Sequence, residues 1–229
     1  MYLEKFNKFL KKVDLQSYRK KYGRIKIVEM DLTKDIQAII LLYKVYWDEK
    51  DFLFFDEFYK KYLKEKKKEI EEFRLKTTMC KDCFYRGLKA RIYRTWASLI
   101  TQIHAGYVAE LVFGKGSVVM SRELDSMGAD IRVEYKGYFL NYQVKKTSFS
   151  GVTSNKPLPR KKKLKGEDID IKYEVPTCLS DPKTKKGEFR KPYLRFLEDK
   201  RTESFDNGFV IFTKETFLPK KKEINSKIS

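Results

Sequence analysis

Histidine is nearly absent from this chain of 229 residues, which contains only His104. Nucleophilic catalysis with a histidine base would depend entirely on that residue, and no Gly-x-Ser-x-Gly segment is present to supply a nucleophile. We therefore expect His104 to be packed or hydrogen-bonded. Bilayer-spanning apolar runs, Walker A loops and dinucleotide fingerprints are also missing, and residues 1–12 are amphipathic rather than typical of a signal peptide. We expect neither a membrane partner nor nucleotide hydrolysis.

Cysteine is scarce as well, with three residues in the chain. An odd number argues against a disulfide framework and favours a cytoplasmic protein. Cys80 and Cys83 form one Cys-x-x-Cys pair, which with Cys178 and His104 would supply the four ligands of a zinc site. A single pair with scattered partners is more typical of incidental thiols, which we favour over zinc. Redox chemistry has no support, because no thioredoxin-like strand precedes the pair.

Acidic residues are outnumbered by basic ones. Lys and Arg total 51 against 32 Asp and Glu, so the net charge is +19. Such an excess favours binding to a polyanion through counterion release, and nucleic acid is the commonest such partner. A lysine-rich genome, or charge that keeps the protein in solution, would give the same balance. With 41% hydrophobic residues the chain can still bury a substantial core.

Apolar residues recur at helical spacing through the first ninety residues. They include Phe6, Phe9, Leu10 and Val13, then Ile36, Ile39, Ile40, Tyr43 and Trp47, then Phe55, Phe58, Tyr59 and Tyr62. The charged run at residues 64–69 is typical of a solvated helix face. We predict a helical N-terminal region over residues 1–90 that grips DNA or mediates dimerisation.

The periodicity changes after a helix predicted at residues 93–113. Strands are predicted at residues 117–121, 128–133, 138–147 and 168–175, a helix at residues 192–203 and a buried strand at residues 208–213. This order predicts a mixed α/β (α+β) fold, with a mixed sheet flanked by helices. We assign residues 91–215 to this core, with a basic loop insertion at residues 148–190, and residues 216–229 to a frayed basic tail.

The two strands at residues 128–147 place polar side chains together on one face. If the turn is centred on residues 136–137, Asp130 lies opposite Gln143, and Lys145 follows on the same face. Opposed residues have Cβ atoms about 5 Å apart, so both oxygens can reach one metal ion. A bulged three-residue turn would shift this register by one residue.

Glu110 is a further candidate, because it lies three residues after Tyr107 and seven after Ile103, on the buried face of its helix. A carboxylate turned toward a core is costly unless it is paired or binds a metal. The sequence is therefore compatible with two roles for Glu110, a salt bridge to Lys or Arg and a metal ligand.

Such a group suits phosphodiester hydrolysis. Oxygen ligands can hold a Mg²⁺ ion that polarises the scissile phosphate and lowers the pKa of an attacking water. Lys145 could orient or deprotonate that water, or offset charge in the transition state. Gln143 can ligate through its carbonyl oxygen but adds no charge.

At these residues the chain resembles the PD-(D/E)XK nuclease superfamily. "GAD" supplies Asp130, "QVK" supplies Gln143 and Lys145, and "VAELVF" supplies Glu110. The resemblance, which covers about half the chain, implies that Asp130, Gln143 and Glu110 are metal ligands and that Lys145 is catalytic. Gln143 replaces the commoner Glu, and this leaves the number of bound metals open. No Gln-x-x-x-Tyr motif follows the lysine, unlike in RecB-like nucleases.

The helical N-terminal region and long basic loops make the chain resemble a Type II restriction endonuclease within that superfamily. The resemblance implies a Mg²⁺-dependent enzyme that cuts double-stranded DNA at a specific sequence, as a homodimer. A structure-specific resolvase or repair nuclease is the alternative within the enzymes. A non-catalytic basic nucleic-acid-binding protein is the alternative outside them.

The basic run that follows the predicted catalytic strand has three interpretations: a localisation signal, a solvated loop, or a loop that contacts phosphates. Its position favours DNA contact. The predicted DNA-binding residues are Lys146, Ser148, Arg160, Lys161, Lys162 and Lys163.

Overall fold

The computed structural model of the protein describes residues 2–23, 25, 32–147, 164–175 and 182–228. The α-helices in these residues are α1 (Tyr2–Lys12), α2 (Leu15–Tyr22), α3 (Ile39–Leu42), α4 (Phe55–Glu65), α5 (Lys67–Leu75), α6 (Lys81–Phe113), α7 (Arg122–Ser126), α8 (Lys191–Glu198) and α9 (Leu218–Ile228). The strands are β1 (Val118–Val119), β2 (Ile131–Tyr135), β3 (Tyr138–Thr147), β4 (Glu167–Glu174), β5 (Thr202–Ser204) and β6 (Val210–Phe212). This mixture confirms the predicted α+β class.

Helix α6 passes through the core for 33 residues. It begins at Lys81 rather than at the predicted residue 93, because Phe84 and Leu88 extend its buried face toward the N-terminus. It ends at Gly114, whose φ of 119° is one that residues with a Cβ atom rarely adopt. Neither α6 nor any other helix of the described residues has the length and apolar character needed to cross a bilayer.

The helices before α6 pack on it largely through aromatic rings. The rings of Phe55 and Trp96 have centroids 5.7 Å apart. A π-helical segment, Tyr43–Asp48, continues from α3. Trp96 Nε1 donates to Tyr46 Oη at 2.7 Å, and Tyr107 Oη donates to the Tyr46 carbonyl at 2.5 Å. Two residues of α6, about three turns apart, therefore bind this segment. One hydrophobic core includes side chains from α1 to α9.

Four strands form a mixed sheet in the order β1-β2-β3-β4, in which β3 runs antiparallel to β2 and parallel to β4. The β2–β3 turn consists of Lys136 (φ 49°) and Gly137 (φ 80°). Two left-handed residues are the pattern of a type I′ hairpin, which matches the twist of the strands. Ile131 pairs with Tyr142, and this confirms the predicted register.

Two segments near the C-terminus differ from prediction. The tail expected to fray forms α9, because Ile224 is buried and Lys221 Nζ donates to the Val112 carbonyl at 2.5 Å. The helix predicted to residue 203 ends as α8 at Glu198, and the residues after it form β5, which pairs with β6 in a separate two-stranded sheet.

Candidate active site

The β2–β3 hairpin brings the predicted strand residues together. The Asp130 amide donates to the Tyr142 carbonyl at 2.9 Å, so Asp130 lies against β3 immediately before the first paired residue of β2, Ile131. Lys145 lies two residues beyond Gln143 along β3, on the same face because strand side chains alternate. The charge of Lys145 lowers the pKa of Asp130, although this effect is smaller than the others that act on that carboxyl.

Asp130 is 5% exposed, and its carboxyl accepts two hydrogen bonds. Gln102 Nε2 of α6 donates to Oδ1 at 3.1 Å, and the Val144 amide donates to Oδ2 at 2.6 Å. Burial raises the pKa of Asp130 to about 7; the Val144 hydrogen bond opposes that rise, and Asp125 adds to it. A carboxyl perturbed by burial and by a second acid is typical of a functional site.

Asp125 is the second acid, and the motif at Asp130 did not include it. It lies in the five-residue helix α7, which Ser121 caps by accepting from the Leu124 amide at 3.2 Å. The side chains of Asp125 and Asp130 hydrogen-bond to each other, and burial raises the pKa of Asp125. The available signal was the spacing in "DSMGAD", where Gly128, with φ 92°, turns the chain back toward the sheet.

Gln143, on β3, is a third candidate oxygen donor. Its Oε1 atom is buried and has no hydrogen-bond partner among the described residues. A buried acceptor without a partner costs about 1–3 kcal/mol, which a bound cation would offset. No three His, Cys, Asp or Glu side chains of the described residues cluster as a metal site. The donors are therefore the carboxyls of Asp125 and Asp130 and the Gln143 amide oxygen, a hard-oxygen set that suits Mg²⁺.

Lys145 is oriented by a residue on the neighbouring strand. Its Nζ lies 2.7 Å from Asp170 Oδ2, and the two side chains are 24% and 30% exposed. Asp170 of β4 pairs across the parallel ladder with Gln143. The sequence offered no signal for this contact, because a parallel pairing is not set by a turn.

Glu110 lies at a different level of α6 from Gln102. Its Oε1 accepts from the Gly116 amide at 3.0 Å, in the turn that follows α6. It also lines a cavity of about 540 Å³ that contains Lys50. Glu110 lies eight residues beyond Gln102, which is about 12 Å along the helix axis. Gln102 is the α6 residue that contacts Asp130. The face of a helix on which a residue lies gives its angle around the axis, but not its position along the axis.

The residues weighed for a zinc site, which the sequence did not favour, lie elsewhere. His104 is buried, where its Nε2 lies 2.9 Å from Asn7 Oδ1 and its Nδ1 accepts from the Phe212 amide. Burial lowers its pKa to about 3, which agrees with a packed, neutral histidine. Cys80 and Cys83 are exposed free thiols, about 36 and 32 Å from His104 along the axis of α6. Cys178 lies outside the described residues.

Of the predicted DNA-binding residues, Lys146 is described. It lies on the opposite face of β3 from Lys145, and partial burial and then the charge of Arg19 lower its pKa. The remaining ones lie outside the described residues and stay predictions: Ser148, Arg160, Lys161, Lys162 and Lys163.

Comparison with known proteins agrees with this chemistry. Residues 3–225 match the profile of the TaqI restriction endonuclease family. The chain is 32% identical over 225 residues to the Type II restriction enzyme TaqI of Thermus aquaticus, which covers 92% of this chain and 83% of the relative. It is 30% identical over 223 residues to the Type II restriction enzyme TthHB8I of Thermus thermophilus, with the same coverage. No solved structure matches the chain at a significant level.

Proposed function

This chain belongs to the TaqI restriction endonuclease family and is a sequence-specific restriction endonuclease; from that premise we propose that it cuts double-stranded DNA with Mg²⁺ at a site formed by Asp125, Asp130, Gln143 and Lys145. The observation that carries this proposal is the buried pair of carboxyl groups at the start of β2, next to strand β3, where the buried Gln143 oxygen has no hydrogen-bond partner among the described residues. Buried oxygen atoms of this kind would stabilise a bound divalent cation. Without a cation, an acceptor that lacks a hydrogen-bond partner destabilises the folded protein.

Asp130, Asp125 and Gln143 would hold the ion. When bound, Mg²⁺ polarises the scissile phosphate and lowers the pKa of a water molecule. Gln102 and the Val144 amide keep the Asp130 carboxyl in place through their hydrogen bonds. Because burial raises the pKa of Asp130 to about 7, binding of the ion below that pH would release a proton from this carboxyl.

Lys145 has the role of stabilising negative charge on the phosphate. The 2.7 Å ion pair with Asp170 holds the Lys145 ammonium in place, which suits stabilisation of phosphate charge. Lys145 precedes Lys146 at the end of β3, beside the predicted DNA-contacting segment.

We also propose that the site is of the PD-(D/E)XK type, with Asp130 on one strand and Gln143-x-Lys145 on the next. The observed β2–β3 register supports this assignment. By analogy with the family we also propose a homodimer, because two sites related by a two-fold axis would cut both strands of a palindrome most simply. The free thiols of Cys80 and Cys83 fit a cytoplasmic location.

The test is cleavage of a long mixed-sequence DNA with Mg²⁺ or with EDTA. We expect discrete fragments with Mg²⁺ from the wild-type protein, and none from Asp130→Asn or Lys145→Ala variants that still bind DNA. Glu110→Gln is the matched control, because it removes a carboxylate of α6 that does not contact Asp130. Fragments from Asp130→Asn at the wild-type rate would refute the site.

A further inference from the structure

We infer that a groove beside the N-terminal half of α6 binds the phosphate backbone of the DNA strand that leads to the cleavage point, and that Arg91 is its phosphate-binding residue. This inference rests on the proposed function in one respect, since it takes Asp130 as the position of the scissile phosphate.

The groove ends at the acid pair. It has a volume of about 310 Å³, and its lining includes Gln102 and Asp125, both of which hydrogen-bond to Asp130. Arg91 lines it as well, and also lines a second cavity of about 220 Å³ that continues to Gln37. A strand laid along this path would pass Arg91 before it reaches Asp130.

Helical spacing places the groove residues in one row. Arg91, Thr95, Ser98 and Gln102 are separated by four, three and four residues, which puts them on one stripe of α6. The stripe spans about 16 Å from Arg91 to Gln102. Ser98 is exposed, so its hydroxyl can donate to a phosphate oxygen.

The charged side chains of α6 along this stretch are all basic. The two acids of the helix, Asp82 and Glu110, lie near its ends, and four bases lie between them. Lys89 is paired with Asp56 at 2.6 Å, and Arg94 donates to the Ile25 carbonyl at 3.1 Å, so both have structural partners.

Arg91 differs from these neighbours, because it is exposed and has no ion pair with any described residue. A guanidinium can donate two parallel hydrogen bonds to a phosphate, which a lysine cannot. The opposite end of the groove is acidic and accepts a phosphate only together with a cation. The backbone would therefore be bound by arginine at one end and by the metal at the other.

Binding is measured in an Asp130→Asn background, so that the DNA stays intact. The probe is a duplex of about 30 base pairs, roughly the length that a footprint of this size requires, centred on the sequence cut by the wild-type protein. If no sequence is cut, the proposed function has failed, and a mixed-sequence duplex tests the groove alone. Fluorescence anisotropy gives the Kd from about 50 to 200 mM salt.

We expect Arg91→Gln to weaken binding about tenfold and to make the salt slope less negative by about 0.9, the value for one lost phosphate contact. Lys115→Gln is the matched control, with the same loss of charge about 36 Å away along α6, and should leave the slope unchanged. Arg91→Lys should restore the slope but only part of the affinity. Equal slopes for all four proteins would overturn the inference.

A second measurement locates the contact. A series of duplexes each carries one neutral methylphosphonate in place of a phosphate. The effect of Arg91→Gln should disappear on one duplex, with the substitution about two to four phosphates from the cleaved bond. An effect of equal size on every duplex would show that Arg91 acts only through net charge, and would also overturn the inference.

Discussion

Helix α6 passes two polar regions, and only one of them has the features of an active site. Around Gln102, burial and Asp125 perturb the Asp130 carboxyl, and on the adjacent strand β3 the Gln143 oxygen has no hydrogen-bond partner among the described residues. Around Glu110, the carboxylate accepts from the Gly116 amide and faces Lys50 across a cavity. An acid near lysine in a basic chain is thus poor evidence of catalysis, whereas polar groups left unsatisfied in a buried place are better evidence.

The Asp130→Asn and Glu110→Gln variants test most directly which of the two regions is catalytic. Asp130→Asn keeps the shape of the side chain but removes a charge that the metal needs, so we expect cleavage to fall by about 10³-fold or more. Glu110→Gln should retain the cleavage rate within about threefold, because its contact with Gly116 is structural. Single-turnover cleavage with saturating enzyme gives both rates. A large loss from Glu110→Gln alone would reverse the assignment of the two regions.

Within the catalytic region, Asp170→Asn tests whether Lys145 must be held in position. Loss of the 2.7 Å ion pair should lower the single-turnover rate about tenfold and leave the Mg²⁺ concentration for half-maximal rate unchanged. The control is Asp168→Asn, two residues earlier on the same face of β4, whose carboxyl accepts from Asn141. If both variants lowered the single-turnover rate equally, the rate would depend on the negative charge of β4 in general and not on the contact of Asp170 with Lys145.

The sequence predicted the β2–β3 hairpin, but only some of the residues around the candidate site. Alternation of Leu140, Tyr142 and Val144 defines the core face of β3, and the two-residue turn sets its partner, so local sequence determines the register. Asp125 lies in a helix of five residues, too short to show a period. Asp170 meets Lys145 through a parallel pairing, whose register depends on tertiary packing.

The same limit applies to the helices. Glu110 was assigned from its angle around α6, yet its level along the axis decides what it contacts. The basic tail was expected to fray, whereas it forms α9, which is held by the buried residue Ile224, by the Lys221 contact with α6 and by the ion pair of Lys220 with Glu167 at 2.6 Å. Long-range packing of one residue leaves no pattern in the sequence.

The pH dependence of stability should also separate the two regions. Asp130 keeps its proton to about pH 7 when folded, whereas an unfolded aspartate loses it near pH 3.8. The folded state therefore binds more protons between these values, and metal-free protein should lose stability as pH rises toward 7, by up to about 1.4 kcal/mol per unit.

Thermal unfolding at pH 5 and pH 8 in EDTA measures this loss. It should be smaller in Asp130→Asn and unchanged in Glu110→Gln, and saturating Mg²⁺ should reduce it in the wild-type protein because the ion binds the deprotonated carboxylate. Identical pH profiles for wild type and Asp130→Asn would show that Asp130 ionises normally in the folded protein.

Two buried tyrosines give the finest comparison, because the same deletion should have opposite signs in the two regions. Tyr43 Oη, near Asp125 and Asp130, is buried without a hydrogen-bond partner among the described residues. Tyr107 Oη, near Glu110, donates to the Tyr46 carbonyl at 2.5 Å. Tyr43→Phe removes an unsatisfied group and should stabilise the metal-free protein by about 1 kcal/mol, or raise Tm by about 2–4 °C.

Tyr107→Phe leaves the Tyr46 carbonyl without its donor and should destabilise the protein by a similar amount, about 1 kcal/mol. Tm in EDTA and in Mg²⁺ measures both changes. If Tyr43→Phe instead lowers Tm in EDTA, its hydroxyl has a partner in the free protein and the catalytic region is already satisfied without metal. The gain from Tyr43→Phe should shrink in Mg²⁺, because a hydroxyl beside the acid pair can then bond to a water on the ion.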